Sequence, residues 1–123
     1  MKIYYAHHLW KYSTKIEEYE IGLINKNFPN SIIINPNGDL GRIKLKTESE
    51  IMNICLSIDY DILIFSTVDG IVGHGVYDEV NQALKNHKPV YYLINNSFIN
   101  VVQIEWDLIN QSDRVFAIAN KVN

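Results

Sequence analysis

The chain has 123 residues, is 47% hydrophobic and carries a formal net charge of −3. That is enough for one domain with a real core and too little for two, which excludes disorder as the resting state. The acidic balance argues against a nucleic-acid polymer as partner, since such a partner calls for a basic face.

A lone cysteine, Cys55, excludes an intrachain disulfide and points to a reducing compartment. Cys55 sits in an apolar helical pattern and reads as packing. The opening MKIYYAHHLW lacks the apolar centre of a signal peptide, and no stretch approaches ~18 apolar residues. The expectation is a cytoplasmic protein with no membrane partner.

In chain order, residues 2–6 (KIYYA) read as a first strand, apolar and aromatic. Residues 14–28 read as a helix that Ser13 or Thr14 can cap, with Ile16, Tyr19, Ile21, Leu23, Ile24 and Phe28 as its apolar stripe and Pro29 as its stop. Residues 31–35 (SIIIN) read as a second strand, and PNGDLGR (36–42) as a loop. Thr47 and Glu50, in capping-box spacing, open a second helix over 47–58. DILIFST (61–67) is the most apolar run and is expected to be the central strand. A helix is expected over 75–87 and a fourth strand over 88–94. Residues 99–106 and 114–119 look strand-like, and EWDLINQS (105–112) reads as a turn or short helix.

Strands alternating with helices predict a single-domain α/β fold with three layers, α/β/α. Its sheet is expected to be parallel, flavodoxin- or Rossmann-like, with about five strands. Such sheets bind ligands beyond the carboxyl ends of their strands, where strand order reverses. The loops that follow strands one, two and three are therefore the ones to search.

The third of these loops and the turn after it, STVDGIVGHGVYDEV (66–80), is the richest in chemistry. Its glycines permit close backbone approach to a ligand, and the helix that follows offers free N–H groups at its amino end. An anionic ligand is expected near Gly73, His74 and Gly75. Glu79 is expected in the first turn or so, where the helix field would keep it ionised, as a nucleophilic carboxylate must be. The glycine spacing, G-x-x-G-x-G, is not the dinucleotide fingerprint, and no Lys-Ser or Lys-Thr makes it a P-loop. Asp61 opens a strand at the amino end of the sheet and reads as structural. Asp69, on the other side, is a candidate for a sugar hydroxyl or a base. His74 is a candidate for a leaving base or a phosphate. His7 is a candidate ligand contact, but His7 and His8 point to opposite sides of an extended chain and make poor joint metal ligands. No metal and no cofactor are expected. Asn35 and Asn37, after the second strand, could reach a base or ribose. Trp10, Tyr12 and Trp106 could stack on a base or pack in a core or interface.

Three stretches, Ile3–Tyr4 in "IYYA", Asp61 in "DYDILIF", and Gly75, Glu79, Ala83 and Lys88–Pro89–Val90 in "GVYDEVNQALKNHKPV", occur in an order that resembles the nucleoside 2-deoxyribosyltransferase family and its nucleotide N-glycosidase relatives. The likeness covers residues 2–94. It implies that Glu79 attacks the anomeric carbon of a (deoxy)nucleoside or nucleotide, that Tyr4 orients it, and that the sugar passes to another base or to water. It also implies a homo-oligomer whose neighbouring subunits close the crevice. The chain departs from the family pattern at Asn53, where an acid is usual, and at Val80–Asn81, where Leu-Gly is usual. A non-catalytic binder of a nucleotide or nucleotide-derived signal is the alternative on the same layout.

Overall fold

A computed structural model describes residues 1–36, 58–111 and 114–123. Most of the expected loop at 36–42 and of the expected helix at 47–58 lies outside them, as do Asn37 and Cys55. The described residues form an α/β fold with two sheets. The main sheet has the order β2-β1-β3-β5-β6, from β1 (Lys2–Ala6), β2 (Ile32–Ile34), β3 (Ile62–Phe65), β5 (Val90–Ile94) and β6 (Ser97–Val101). β4 (Ile71–Gly73), β7 (Ile104–Gln111) and β8 (Arg114–Val122) make a second sheet of order β4-β8-β7. The helices are α1 (Lys15–Asn27) and α2 (His74–Lys85), with a 3-10 turn at Leu9–Lys11.

β2, β1, β3 and β5 are parallel, and the strand order reverses between β1 and β3. Successive residues of β1 are buried on alternate faces, which is why the strand is apolar along its whole length. Ile3 and Tyr5 pack with Ile24 of α1, Ile64 and Leu93. Tyr4 and Ala6 pack with Val76, Val80 and Ala83 of α2, together with Leu63 and Phe65. Asp61, at the amino end as expected, accepts a hydrogen bond from the Lys2 backbone N–H at 2.7 Å.

The expectation of a wholly parallel sheet is corrected at β6, which pairs antiparallel with β5. The cause is local: Asn95 and Asn96 both take the left-handed conformation, φ 51° and 62°, and so make the two-residue turn that matches strand twist. Asp69 and Gly70 repeat the device, φ 52° and 80°, between Val68 and Ile71, which exchange both backbone hydrogen bonds. That turn produces β4 where only a glycine-rich loop was expected. The third helix accordingly begins at His74 and ends at Lys85, and the segment before it is strand.

EWDLINQS is not a turn or helix. It belongs to β7, which pairs antiparallel with β8 from Ile104↔Val122 to Gln111↔Arg114, with a bulge between Glu105 and Trp106. β8 in turn pairs with β4, Ile71↔Ile118 to Gly73↔Phe116. The reading of 99–106 as one strand is divided between β6 and β7. Trp106 packs edge-on to Tyr77 of α2 at 5.4 Å, and its indole N–H donates to Asn81 Oδ1 at 3.2 Å.

α1 is capped by Thr14, whose hydroxyl accepts from the Glu17 N–H at 3.2 Å and donates to the Lys11 carbonyl at 2.5 Å. Thr14→Ala is expected to cost about 1 kcal/mol of folding stability, read as a lower urea midpoint at unchanged m. The inward stripe of α1 differs from the apolar one expected. Glu17, Glu20 and Ile24 are buried, while Ile16 and Tyr19 are more than half exposed.

Candidate functional site

Tyr4 and Glu79 are brought together, though inside the fold rather than on the wall of an open crevice. Tyr4 is central in β1, at 1% exposure, in register with Leu63 of β3. Glu79 lies on the inward face of α2, one residue before Val80 and four before Ala83, and keeps 8% exposure. α2 has no acid in its first turn, so Glu79 stands in the second. The expectation that the helix end holds it ionised is therefore corrected. Burial dominates, and it pushes the Glu79 carboxyl up to about 7, with the neighbouring Asp78 charge adding a smaller push. The nearby Tyr4 hydroxyl works in the opposite direction and favours the ionised form. Oε2 of Glu79 is buried and has no hydrogen-bond partner among the described residues.

A second aromatic completes this corner. The Tyr60 ring lies 5.5 Å from that of Tyr4, tilted by 35°. Burial and the Glu79 charge push the Tyr60 hydroxyl up to about 12, so it stays a donor throughout the physiological range. Lys88, of the Lys-Pro-Val stretch, donates to the Tyr60 carbonyl at 2.6 Å and lies over its ring at 5.3 Å. Lys88 thus anchors the chain two residues before β3. Tyr60 was passed over in the sequence. Its place directly before Asp61 was the available signal.

The other candidates are more dispersed. Gly73 is the N-cap of α2 and is paired in β4 with Phe116. A Cβ at Gly73 would stand 3.2 Å from Cδ2 of the His8 ring, a tight contact that the ring would have to relieve by shifting. Gly75 is the second residue of α2. His74 begins the helix, is largely exposed, and pairs with Asp78 one turn on at 3.0 Å. Asp69 is exposed on the turn before β4, where its left-handed backbone accounts for the residue type. Asn35 is half-buried past the end of β2. Trp10 is 62% exposed, and its ring contacts those of His8 at 4.2 Å and Phe116 at 6.1 Å.

His7 turns to the opposite face of β1 from Tyr4 and joins a buried polar cluster that the sequence did not disclose. Glu20 Oε1 accepts from the Tyr5 hydroxyl at 2.6 Å, from Ser66 Oγ at 2.7 Å and from Lys11 Nζ at 3.2 Å, and Oε2 accepts from Lys11 at 3.1 Å. Lys11 also donates to Ser66 Oγ at 2.9 Å. His7 meets Glu17 at 2.6 Å, and its ring stacks on that of Tyr5 at 3.8 Å. Burial, reinforced by Glu20, raises the Tyr5 hydroxyl far above its ordinary range. Every charged end in the Lys11–Glu20–Ser66 set has partners, which is the signature of an architectural network.

Among the described residues, no group of three or more His, Cys, Asp or Glu side chains could hold a metal ion, and no helix is long and apolar enough to cross a membrane. The chain matches no protein-family model, no curated protein and no solved structure.

Proposed function

We propose that the protein cleaves or transfers the N-glycosidic bond of a (deoxy)nucleoside or nucleotide, with Glu79 as nucleophile and Tyr4 as its orienting hydroxyl. The carrying observation is a buried carboxyl with one oxygen unpartnered among the described residues, beside a tyrosine hydroxyl. A structural acid at such burial is normally paired or fully hydrogen-bonded. An oxygen left unpaired beside an orienting donor suits a group that forms a bond in the reaction. In this reading Glu79 attacks the anomeric carbon, the carbon–nitrogen bond breaks, and the base departs with the electron pair and takes a proton from water. Water or a second base then attacks the same carbon and frees the carboxylate. The sheet has the topological switch of a doubly wound domain, and α1 and α2 pack against opposite faces of β1. Both features support the three-layer, flavodoxin-like reading of the core. The reading further takes the protein as cytoplasmic and as a homo-oligomer that completes its crevice from a neighbouring subunit.

A second reading has its own observation. With its carboxyl raised to about 7, Glu79 is substantially neutral at neutral pH and could donate a hydrogen bond to a nucleotide base without attacking its sugar. The two separate on one experiment. Deoxynucleosides and deoxynucleotides are incubated with the protein and free base is measured from pH 5 to 9. The nucleophile reading expects base release that rises through pH ~7 as Glu79 ionises, with the midpoint moving to higher pH in Tyr4→Phe. Bound but intact nucleotide at every pH would leave the binder.

A further inference from the structure

We propose that the His8 imidazole and the amino end of α2 together bind a phosphoryl group. The inference stands apart from the glycosidic reading, since it asks nothing of Glu79 or Tyr4.

His8 has a defined tautomer. Its Nδ1 accepts the Trp10 backbone N–H at 3.0 Å, so that nitrogen carries no hydrogen. A neutral imidazole then bears its hydrogen on Nε2. Burial holds the ring in the neutral form, and the nearby His7 and Lys11 act in the same direction. The residue is 8% exposed, and its ring also contacts those of Trp10 and Phe116. Among the described residues nothing accepts the Nε2 hydrogen. A buried donor without an acceptor costs free energy, and its retention calls for a partner from outside the chain.

That donor lies against the start of α2. The point where a Cβ of Gly73 would stand is 3.4 Å from Nε2 and 3.2 Å from Cδ2. Beyond the chain neighbours of Gly73, no other described atom comes within 4 Å of that point. Gly73 is the N-cap of α2, and without a side chain it leaves the first N–H groups of the helix uncapped. No acid stands in the first turn to meet them. α2 runs for 12 residues, and its aligned peptide dipoles place a partial positive charge at this end. Backbone donors along the helix axis and an imidazole donor from the side thus meet at one opening. The two oxygens of a carboxylate share a plane, whereas the three of a phosphoryl group are spread in space and accept from both directions at once.

The donors are neutral, so recognition rests on the placing of hydrogen bonds. Lys11 is engaged by Glu20 and Ser66, and His74 pairs with Asp78 at 3.0 Å. Trp10, 62% exposed, puts an aromatic surface beside His8, with ring centroids 4.2 Å apart. Free phosphate and a phosphate monoester offer these donors the same oxygens; the monoester can also rest its organic part on Trp10.

The test titrates the full ¹⁵N-labelled chain with inorganic phosphate at pH 7, against chloride at equal ionic strength. Saturable shifts are expected at the Gly75 and Val76 amides and at the His8 imidazole with phosphate, and none with chloride. His8→Phe keeps an aromatic ring and removes the donor. It is expected to weaken phosphate binding about tenfold, as the loss of one hydrogen bond to a charged group does. Shifts that never saturate, or equal binding by the two proteins, would overturn the proposal. Should His8→Phe fail to fold, the wild-type imidazole nitrogens decide. A bare Nδ1 and a hydrogen on Nε2 that shifts with phosphate are expected, and a hydrogen on Nδ1 would overturn the proposal. Phenyl phosphate separates the two sources. Tighter binding than inorganic phosphate assigns the site to a phosphate monoester, and equal or weaker binding assigns it to the free anion.

Discussion

Glu79→Gln is expected to lose base release altogether while folding more stably than the wild type at pH 8. The activity half follows from chemistry, since an amide is no nucleophile toward an anomeric carbon. The stability half follows from the sign of the titration shift. Burial raises the folded carboxyl to about 7, against an ordinary value of 4.5. Below pH ~4 both states hold the proton and the residue contributes no difference. As pH rises from there to about 7, the unfolded chain ionises while the folded one retains its proton, so native stability declines. Above that range the loss is complete, at about 3 kcal/mol on the conversion of 1.36 kcal/mol per unit. Glutamine never ionises, so its advantage is present at pH 8 and absent at pH 4. Urea melts at the two pH values, beside a base-release assay, check both halves. A variant that kept wild-type turnover would remove Glu79 from the chemistry. Equal stability at pH 8 would show that the carboxyl is well solvated.

The largest loss of stability is expected at the other buried acid. Glu20→Ala leaves the Lys11 ammonium buried and uncompensated, and strips the Tyr5 and Ser66 hydroxyls of their acceptor. Removing one member of such a buried pair costs about 3–5 kcal/mol, a large share of the stability of a domain this size. The control replaces both charges, Lys11→Met with Glu20→Leu, and should recover much of that loss, because no orphaned charge remains. Equilibrium urea unfolding of the three proteins measures this. A cost below about 1 kcal/mol for Glu20→Ala would mean that water reaches Lys11, as in an exposed pair.

The two acids also mark how far the sequence could be read. Glu79 and Tyr4 were named through the resemblance of their stretches to a known family, and the sequence placed Tyr4 on the first strand and Glu79 on the helix that follows the central strand. Their burial was not visible, and with it went the sign of the Glu79 shift. Glu17 and Glu20 were hidden for a related reason. Apolar periodicity sends Ile16 and Tyr19 inward, but His7 and Lys11 supply partners for the acids, and those partners come from a loop that no helical pattern encodes. The parallel core was legible from β-branched runs such as Ile32–Ile34 and Ile62–Phe65. The antiparallel parts were signalled by Asp69–Gly70 and Asn95–Asn96, both of them left-handed turn pairs, and by the alternation of Ile104, Trp106 and Leu108 with Glu105 and Asp107. In EWDLINQS the polar residues were weighted as turn formers when their period of two was the stronger signal.

The pairing of β8 with β4 also bears on how quickly the chain reaches its final form. The β5–β6 turn joins neighbours in sequence, and such hairpins close in roughly 1–10 μs. The contact of Ile71 with Ile118 instead encloses much of the second half of the chain, and the conformational freedom of that loop is surrendered before the strand pairing is gained. Since Gly73 ends β4 and also caps α2, the start of the helix that bears Glu79 acquires its last backbone partners only when the C-terminal strands dock. The helix that carries Glu79 is in this sense a late product of assembly, completed by strands from the C-terminal end of the chain.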